Sequence, residues 1–148
     1  MTFTKTFVAS AALSLAAGAT FADGHMANEM TIVSWGGAYS ASQLNAYHTP
    51  YAAKTGVTIL NDDSSSTAVA RLRAMNEANN ITWDVVDVEA GPAMQLCDEG
   101  LAMVIDPDTM LAPAPDGTSA ADDFGDMLVS ECFIPQIVYS TTFGYRTD

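Results

Sequence analysis

Residues 57–88 read VTILNDDSSSTAVARLRAMNEANNITWDVVDV. The stretch opens on a β-branched and apolar run, Val57 to Leu60, and closes on a second one, Trp83 to Val88. A polar loop, Asn61 to Ser66, follows the first run. Val69, Leu72 and Met75 then recur three apart, which puts them on one face of a helix from about Thr67 to Asn79. Ser65 or Ser66 stands where a hydroxyl can cap that helix. The stretch therefore predicts strand, helix, strand.

The same alternation continues on both sides. Upstream, residues 30–35 read MTIVSW, a strand pattern broken by Gly36-Gly37. A helix is expected from about Ser40 to Gly56, with Leu44, Tyr47 and Tyr51 on its apolar face and a kink or split at Pro50. Downstream, Gly91-Pro92 opens a helix with proline at its first position, Ala93, Leu96 and Cys97 facing inward, and Gly100 as its stop. Ala102 to Ile105 reads as a short strand, residues 106–119 as a proline-rich loop and Ala120–Met127 as a short acidic helix. Ile134 to Tyr145 holds a last apolar, β-branched run. This order predicts an α/β fold, a mostly parallel sheet flanked by helices.

In such sheets ligands bind beyond the carboxyl ends of the strands. Three loops fall there: Trp35 to Tyr39, Asn61 to Ser66, and Glu89 to Gly91. Trp35 and Tyr39 bracket Gly36 and Gly37, so backbone can approach a ligand closely while aromatic faces attract a cation. A core position for Trp35, with the glycines only making a turn, is the other reading. Ser66 and Thr67 offer hydroxyls ahead of a helix, for a ligand carboxylate or for capping alone. Asp87 and Glu89 close the third strand, where one can pair with an ammonium group or both can stand in solvent.

Composition narrows the classes. Of 148 residues, 18 are acidic and 5 basic, a net charge of −13, which disfavours phosphate backbones and anionic membrane surfaces as partners. Apolar residues reach 49%, enough for a core and unlike a disordered acidic tail. Residues 1–22, MTFTKTFVASAALSLAAGATFA, carry one charge (Lys5), an apolar stretch from Phe7 to Ala17 too short to span a bilayer, and small residues at Thr20 and Ala22. That is the layout of a cleaved secretory signal peptide. It leaves residues 23–148 as the folded part, with no stable membrane insertion.

Export changes how the two cysteines read. Cys97 and Cys132 form no C-x-x-C pair, and with only two histidines, His25 and His48, a zinc site has little support. In an oxidising compartment two cysteines most simply form one disulfide. Asp106 and Asp108 hint at calcium, yet Thr109-Met110-Leu111 lacks the loop ligands. No metal and no cofactor is assigned. No G-x-S-x-G, H-E-x-x-H or phosphate-cradling glycine loop is present, so no catalytic residue is assigned either.

The stretches TIVSWGGAYS (31–40), TGVTILNDDSSSTAVARLRAM (55–75), WDVVDVEAGPAMQLCDEGLAMVID (83–106) and IVYSTTFGYRTD (137–148), in that order, resemble the periplasmic solute-binding proteins of ABC importers, specifically the spermidine/putrescine-binding group. The resemblance implies one lobe of a Venus-flytrap receptor that closes on its ligand and docks to an ABC permease in the inner membrane. It implies a periplasmic location and a cage of aromatics and carboxylates, onto which Trp35, Ser66 or Thr67, and Glu89 fall. The polyamine receptors place a tyrosine three residues after the tryptophan, whereas Tyr39 is four after Trp35, across a glycine pair that related importers for other organic solutes also carry. The family is about twice as long, so residues 23–148 are expected to be an incomplete N-terminal lobe without its second lobe. The reading is a binding component for a polyamine, putrescine or spermidine favoured, or for another small organic solute. From a different class, an exported hydrolase using Asp87 and Glu89 as an acid–base pair is the alternative.

Signal cleavage after Ala22 is directly measurable. In a secreting host, the mature protein is expected to begin at Asp23 by intact mass, with an N-terminus at Met1 as the contrary result.

Overall fold

A computed structural model describes residues 28–148; the signal segment and His25 lie outside the described residues. Three strands, β1 (Glu29–Val33), β2 (Thr58–Asp62) and β3 (Val85–Val86), form one sheet in the order β2-β1-β3. Both pairings are parallel, with Val33 opposite Asp62 on one side and Val86 on the other. The first crossover runs from β1 to β2, and the second runs back from β2 past β1 to β3, in the opposite direction across the sheet. Right-handed connections therefore put their helices on opposite faces. The α/β class expected from the alternating pattern is the class found.

The first crossover begins earlier than the apolar spacing indicated. Its helix α1 (Gly37–Gln43) starts at Gly37 and runs through a π-helical turn, Leu44–His48, into α2 (Thr49–Thr55). Pro50 has no N–H to donate and its ring crowds the carbonyl one turn back, so the ladder widens just before it. The widened turn also changes which face is inside. Gln43 and His48 are buried, whereas Leu44, Tyr47 and Tyr51, expected as the apolar face, are each more than 40% exposed. Gly56 ends the helix in the left-handed conformation, as expected.

The second crossover follows its pattern closely. A 3-10 turn, Ser65–Thr67, leads into α3 (Ala68–Glu77), on which Leu72 is buried and Val69 and Met75 pack beside it. Neither Ser65 nor Ser66 caps this helix: Thr67 occupies the cap position and makes no side-chain cap bond. Next comes α4 (Ala90–Asp98), in which Pro92 is the third residue rather than the first. That position still lacks an intrahelical acceptor for its N–H, so proline costs nothing there. Val33, Ala68, Leu72, Trp83 and Leu96 make the core. Arg73 clamps the two helices through a forked pair with Glu99 at the surface.

Three expectations fail beyond this point. Residues 102–105 and 134–145 form no strand, and the strand expected over 83–88 shortens to Val85–Val86. Strand geometry needs a bonded neighbour, and among the described residues β3 pairs with β1 alone. The proline-rich segment contains a single helical turn, α5 (Pro107–Met110), capped by Asp106, and α6 (Ala120–Phe124) matches the short acidic helix. Cys97 and Cys132 are joined as expected, with 5.6 Å between their Cα atoms. The bond ties the irregular carboxyl-terminal segment to α4. Closing 35 sequence steps is worth about 4 kcal/mol in the chain-entropy model.

Leu96, on α4, is 1% exposed and shares the core cluster with Leu72 of α3 and Val33 of β1, so Leu96→Ala is expected to cost about 2–5 kcal/mol. Met103→Ala, at an exposed position, should stay within about 0.5 kcal/mol. Urea unfolding of the two variants checks the contrast.

Candidate functional site

The carboxyl ends of the strands are held in line by backbone hydrogen bonds that run past the ladder. Ser34 donates to the Asp62 carbonyl (2.7 Å), Asp87 donates to the Val33 carbonyl (2.9 Å), and Ser65 donates to the Ser34 carbonyl (3.1 Å). The Ser65 hydroxyl also donates to the Asp87 carbonyl. These bonds bring the three loops read from the sequence to one edge.

Gly36 and Gly37 turn the chain from β1 into α1, both at positive φ (85° and 60°). A Cβ on Gly36 would sit 3.3 Å from the Asp63 side chain, so a larger residue is strained in both backbone and space. The glycines do make the turn, and they also seat Ser40, which accepts from the Gly36 N–H and donates to Asp63. Trp35 is 43% exposed and borders a groove of about 1650 Å³; the core tryptophan is Trp83. Such a volume exceeds an ordinary ligand pocket of roughly 300–1,000 Å³ because the same space also runs along Ile32, Leu72, Trp83 and Leu96, on the sheet face and in the core.

Tyr39 reaches across the edge to Asp87. Its hydroxyl donates to Oδ2 at 2.7 Å, and Gln43, one turn along the same helix, donates to the same oxygen at 2.8 Å. Gln43 is buried, and its Oε1 accepts from the Ser34 hydroxyl. Its Nε2 also donates to Gln136 Oε1 (3.1 Å), which lies 3.3 Å from the Tyr39 hydroxyl. Burial, then the bond to Asp87, pushes the Tyr39 hydroxyl well above the ordinary tyrosine range. Glu89 is exposed at the start of α4 and accepts from the Tyr139 hydroxyl at 2.6 Å, which raises the Tyr139 pKa as well.

Ser66 and Thr67 are exposed but do not border the groove, and neither do Gly36 and Gly37; the Thr67 hydroxyl donates back to the Ser64 carbonyl. Trp35, Tyr39 and Glu89 border the groove, and so do Asp87, Gln43, Gln136 and Tyr139. Gln43, Gln136 and Tyr139 were not singled out from the sequence. Starting the helix at Gly37 rather than Ser40 would have put Gln43 one turn after Tyr39 on the same face. His48 is buried, with Nδ1 2.7 Å from Asn61 Oδ1. Asp106 caps its own turn and Asp108 accepts from the Ala121 N–H, so the calcium hint is accounted for by backbone capping. Among the described residues no helix is long and apolar enough to cross a membrane.

Comparison with known proteins finds the family model described as bacterial extracellular solute-binding protein over residues 46–148. A "gamma-aminobutyric acid-binding protein" of Pseudomonas aeruginosa is 31% identical over 116 residues, 78% of this chain. The chain spans 30% of that relative's length. A solved structure of AgtB from A. tumefaciens R10, in complex with agropinic acid, matches 55% of this chain and 25% of its own, at 36% identity and a TM-score of 0.49.

Tyr39→Phe removes one of two donors to the Asp87 carboxylate, and a loss of about 1 kcal/mol is expected at neutral pH. Because the folded-state pKa is raised, the unfolded chain ionises first. The gap between wild type and variant should be constant below pH ~10 and narrow above it. Urea titrations from neutral to alkaline pH read this; a gap that widens above that pH would contradict it.

Proposed function

We propose that this chain, which belongs to the bacterial extracellular solute-binding protein family, supplies the N-terminal lobe of an ABC-importer receptor that captures a small organic solute carrying an ammonium group. Its place is the periplasm, reached through the signal segment of residues 1–22, and its partner is an ABC permease in the inner membrane. The observation that carries the solute class is the open groove at the strand ends, where Asp87 and Glu89 stand among Trp35, Tyr39 and Tyr139. Carboxylates supply the countercharge for an ammonium, and an exposed indole face adds about 0.5–1 kcal/mol.

Two ligand chemistries fit that description. One is the polyamine class, putrescine or spermidine, as the resemblance in the sequence implies. The other is an amino acid with its ammonium and carboxylate on opposite ends of a short chain, which the likeness to a γ-aminobutyric acid-binding protein supports. The hydrolase reading is the weaker one. Asp87 spends one oxygen on Tyr39 and Gln43, neither of which relays a proton as a catalytic acid at neutral pH, and Glu89 is bonded to Tyr139. Binding without turnover is the function this arrangement supports.

Thermal melting of the mature chain with a panel of putrescine, spermidine, 4-aminobutyrate, glucose and phosphate tests the proposal. Ligand at a hundred times its dissociation constant adds about 2.7 kcal/mol. A concentration-dependent rise in Tm is expected with the amines and none with glucose or phosphate. Stabilisation by glucose or phosphate alone would overturn the ammonium assignment.

A further inference from the structure

The site holds one polar group whose direction is set by its neighbours. Gln136 sits four residues beyond Cys132, whose disulfide to Cys97 anchors this stretch to α4. Its Oε1 accepts from Gln43 Nε2. Gln43 cannot turn its amide the other way, because its own Oε1 accepts from the Ser34 hydroxyl and its nitrogen must donate to Asp87. With Gln43 fixed, a flipped Gln136 would set nitrogen against nitrogen. So Gln136 keeps its oxygen inward and presents its NH₂ group outward, on an exposed residue bordering the groove. Among the described residues that NH₂ makes no hydrogen bond.

The consequence concerns the ligand's second end. An amide NH₂ group donates and cannot accept. Asp87 and Gln136 share the Gln43 nitrogen, so a carboxylate acceptor and an amide donor stand side by side on one wall. A diamine offers only donors, and its second ammonium would face the outward Gln136 NH₂. A carboxylate there would be received.

We propose that Gln136 is a specificity-determining residue that selects solutes carrying a carboxylate besides the ammonium, an ω-amino acid rather than a diamine. The inference rests on the ammonium-solute function above and names the solute class for the same site.

The test uses the matched probes 4-aminobutyrate and 1,4-diaminobutane on the mature chain and on Gln136→Glu and Gln136→Met, with NMR titration of the Trp35 indole far into the millimolar range as the readout, a range that reads the weak binding of one open wall. Glutamate keeps an oxygen toward Gln43 and Tyr39 while replacing the outward NH₂ with a charged acceptor. Wild type is expected to prefer 4-aminobutyrate. Gln136→Glu should move the ratio of the two dissociation constants toward the diamine by at least tenfold. Gln136→Met should weaken 4-aminobutyrate without gaining the diamine, and it decides the matter if Gln136→Glu fails to fold. Unchanged ratios in the folded variants, with wild type still binding either probe, would overturn the role of Gln136 alone. Binding of neither probe by wild type would overturn the ammonium-solute function itself.

Discussion

Everything at the site depends on β1 being the strand paired on both sides. Val33 is fully buried at its end, and its carbonyl takes the Asp87 N–H while the next residue, Ser34, donates to Asp62. Parallel pairing brings all three strand ends to the same edge, which an antiparallel sheet would not do. The loops then need only short reach. Trp35 and the glycines leave β1, Asp63 to Ser66 leave β2, and Asp87 to Glu89 leave β3, so residues more than 50 apart in the chain, Val33 and Asp87 among them, become neighbours through backbone hydrogen bonds. Shifting β1 by one residue would turn Val33 out of the core and break this alignment.

Within that frame Gln43 does what neither a hydrophobic nor a charged residue could. It is buried where the helix meets the strand ends, and it makes three hydrogen bonds: one accepted from Ser34, two donated to Asp87 and Gln136. Leucine would leave the Ser34 hydroxyl and the Asp87 oxygen short of partners, at about 1–3 kcal/mol for each group buried unsatisfied. Glutamate would set a second negative charge against Asp87. An amide does not titrate, so the orientation it imposes on its neighbours persists across pH. The same bonds hold the Asp87 carboxylate toward the helix side of the groove.

Local pattern made the fold legible where each element could be read on its own. The apolar runs at 30–33, 57–60 and 83–88, the stripe Val69-Leu72-Met75 and the glycines at 36, 37, 56 and 100 carry their structural meaning in their spacing. The failures share one cause: partners distant in sequence. Residues 134–145 have strand composition, but composition cannot supply the neighbouring edge a strand needs. Leu44, Tyr47 and Tyr51 are correctly spaced for a helix, yet the wide turn before Pro50 rotates Gln43 and His48 inward instead. The site divides in the same way. Trp35, the glycines, Tyr39 and Glu89 announce themselves by lying at strand ends, whereas Gln136 joins through a disulfide 35 positions long and a hydrogen bond spanning 93.

The geometry also separates what sets selectivity from what sets affinity. Trp35, Glu89, Gln136 and Tyr139 stand in an open groove, where an ion pair contributes only about 0–1 kcal/mol because water screens it. A micromolar complex needs about 8 kcal/mol. The contacts of one open wall fall well short of that, so tight capture requires a second surface that covers the solute and removes water. Direction does not need such a cover. The Gln43 and Gln136 amides are already turned by Ser34 and Asp87 before any ligand arrives, so no free energy goes into orienting them on binding. On the proposed function, the described wall would set which end of a solute is accepted, and a surface covering it would set how long the solute stays.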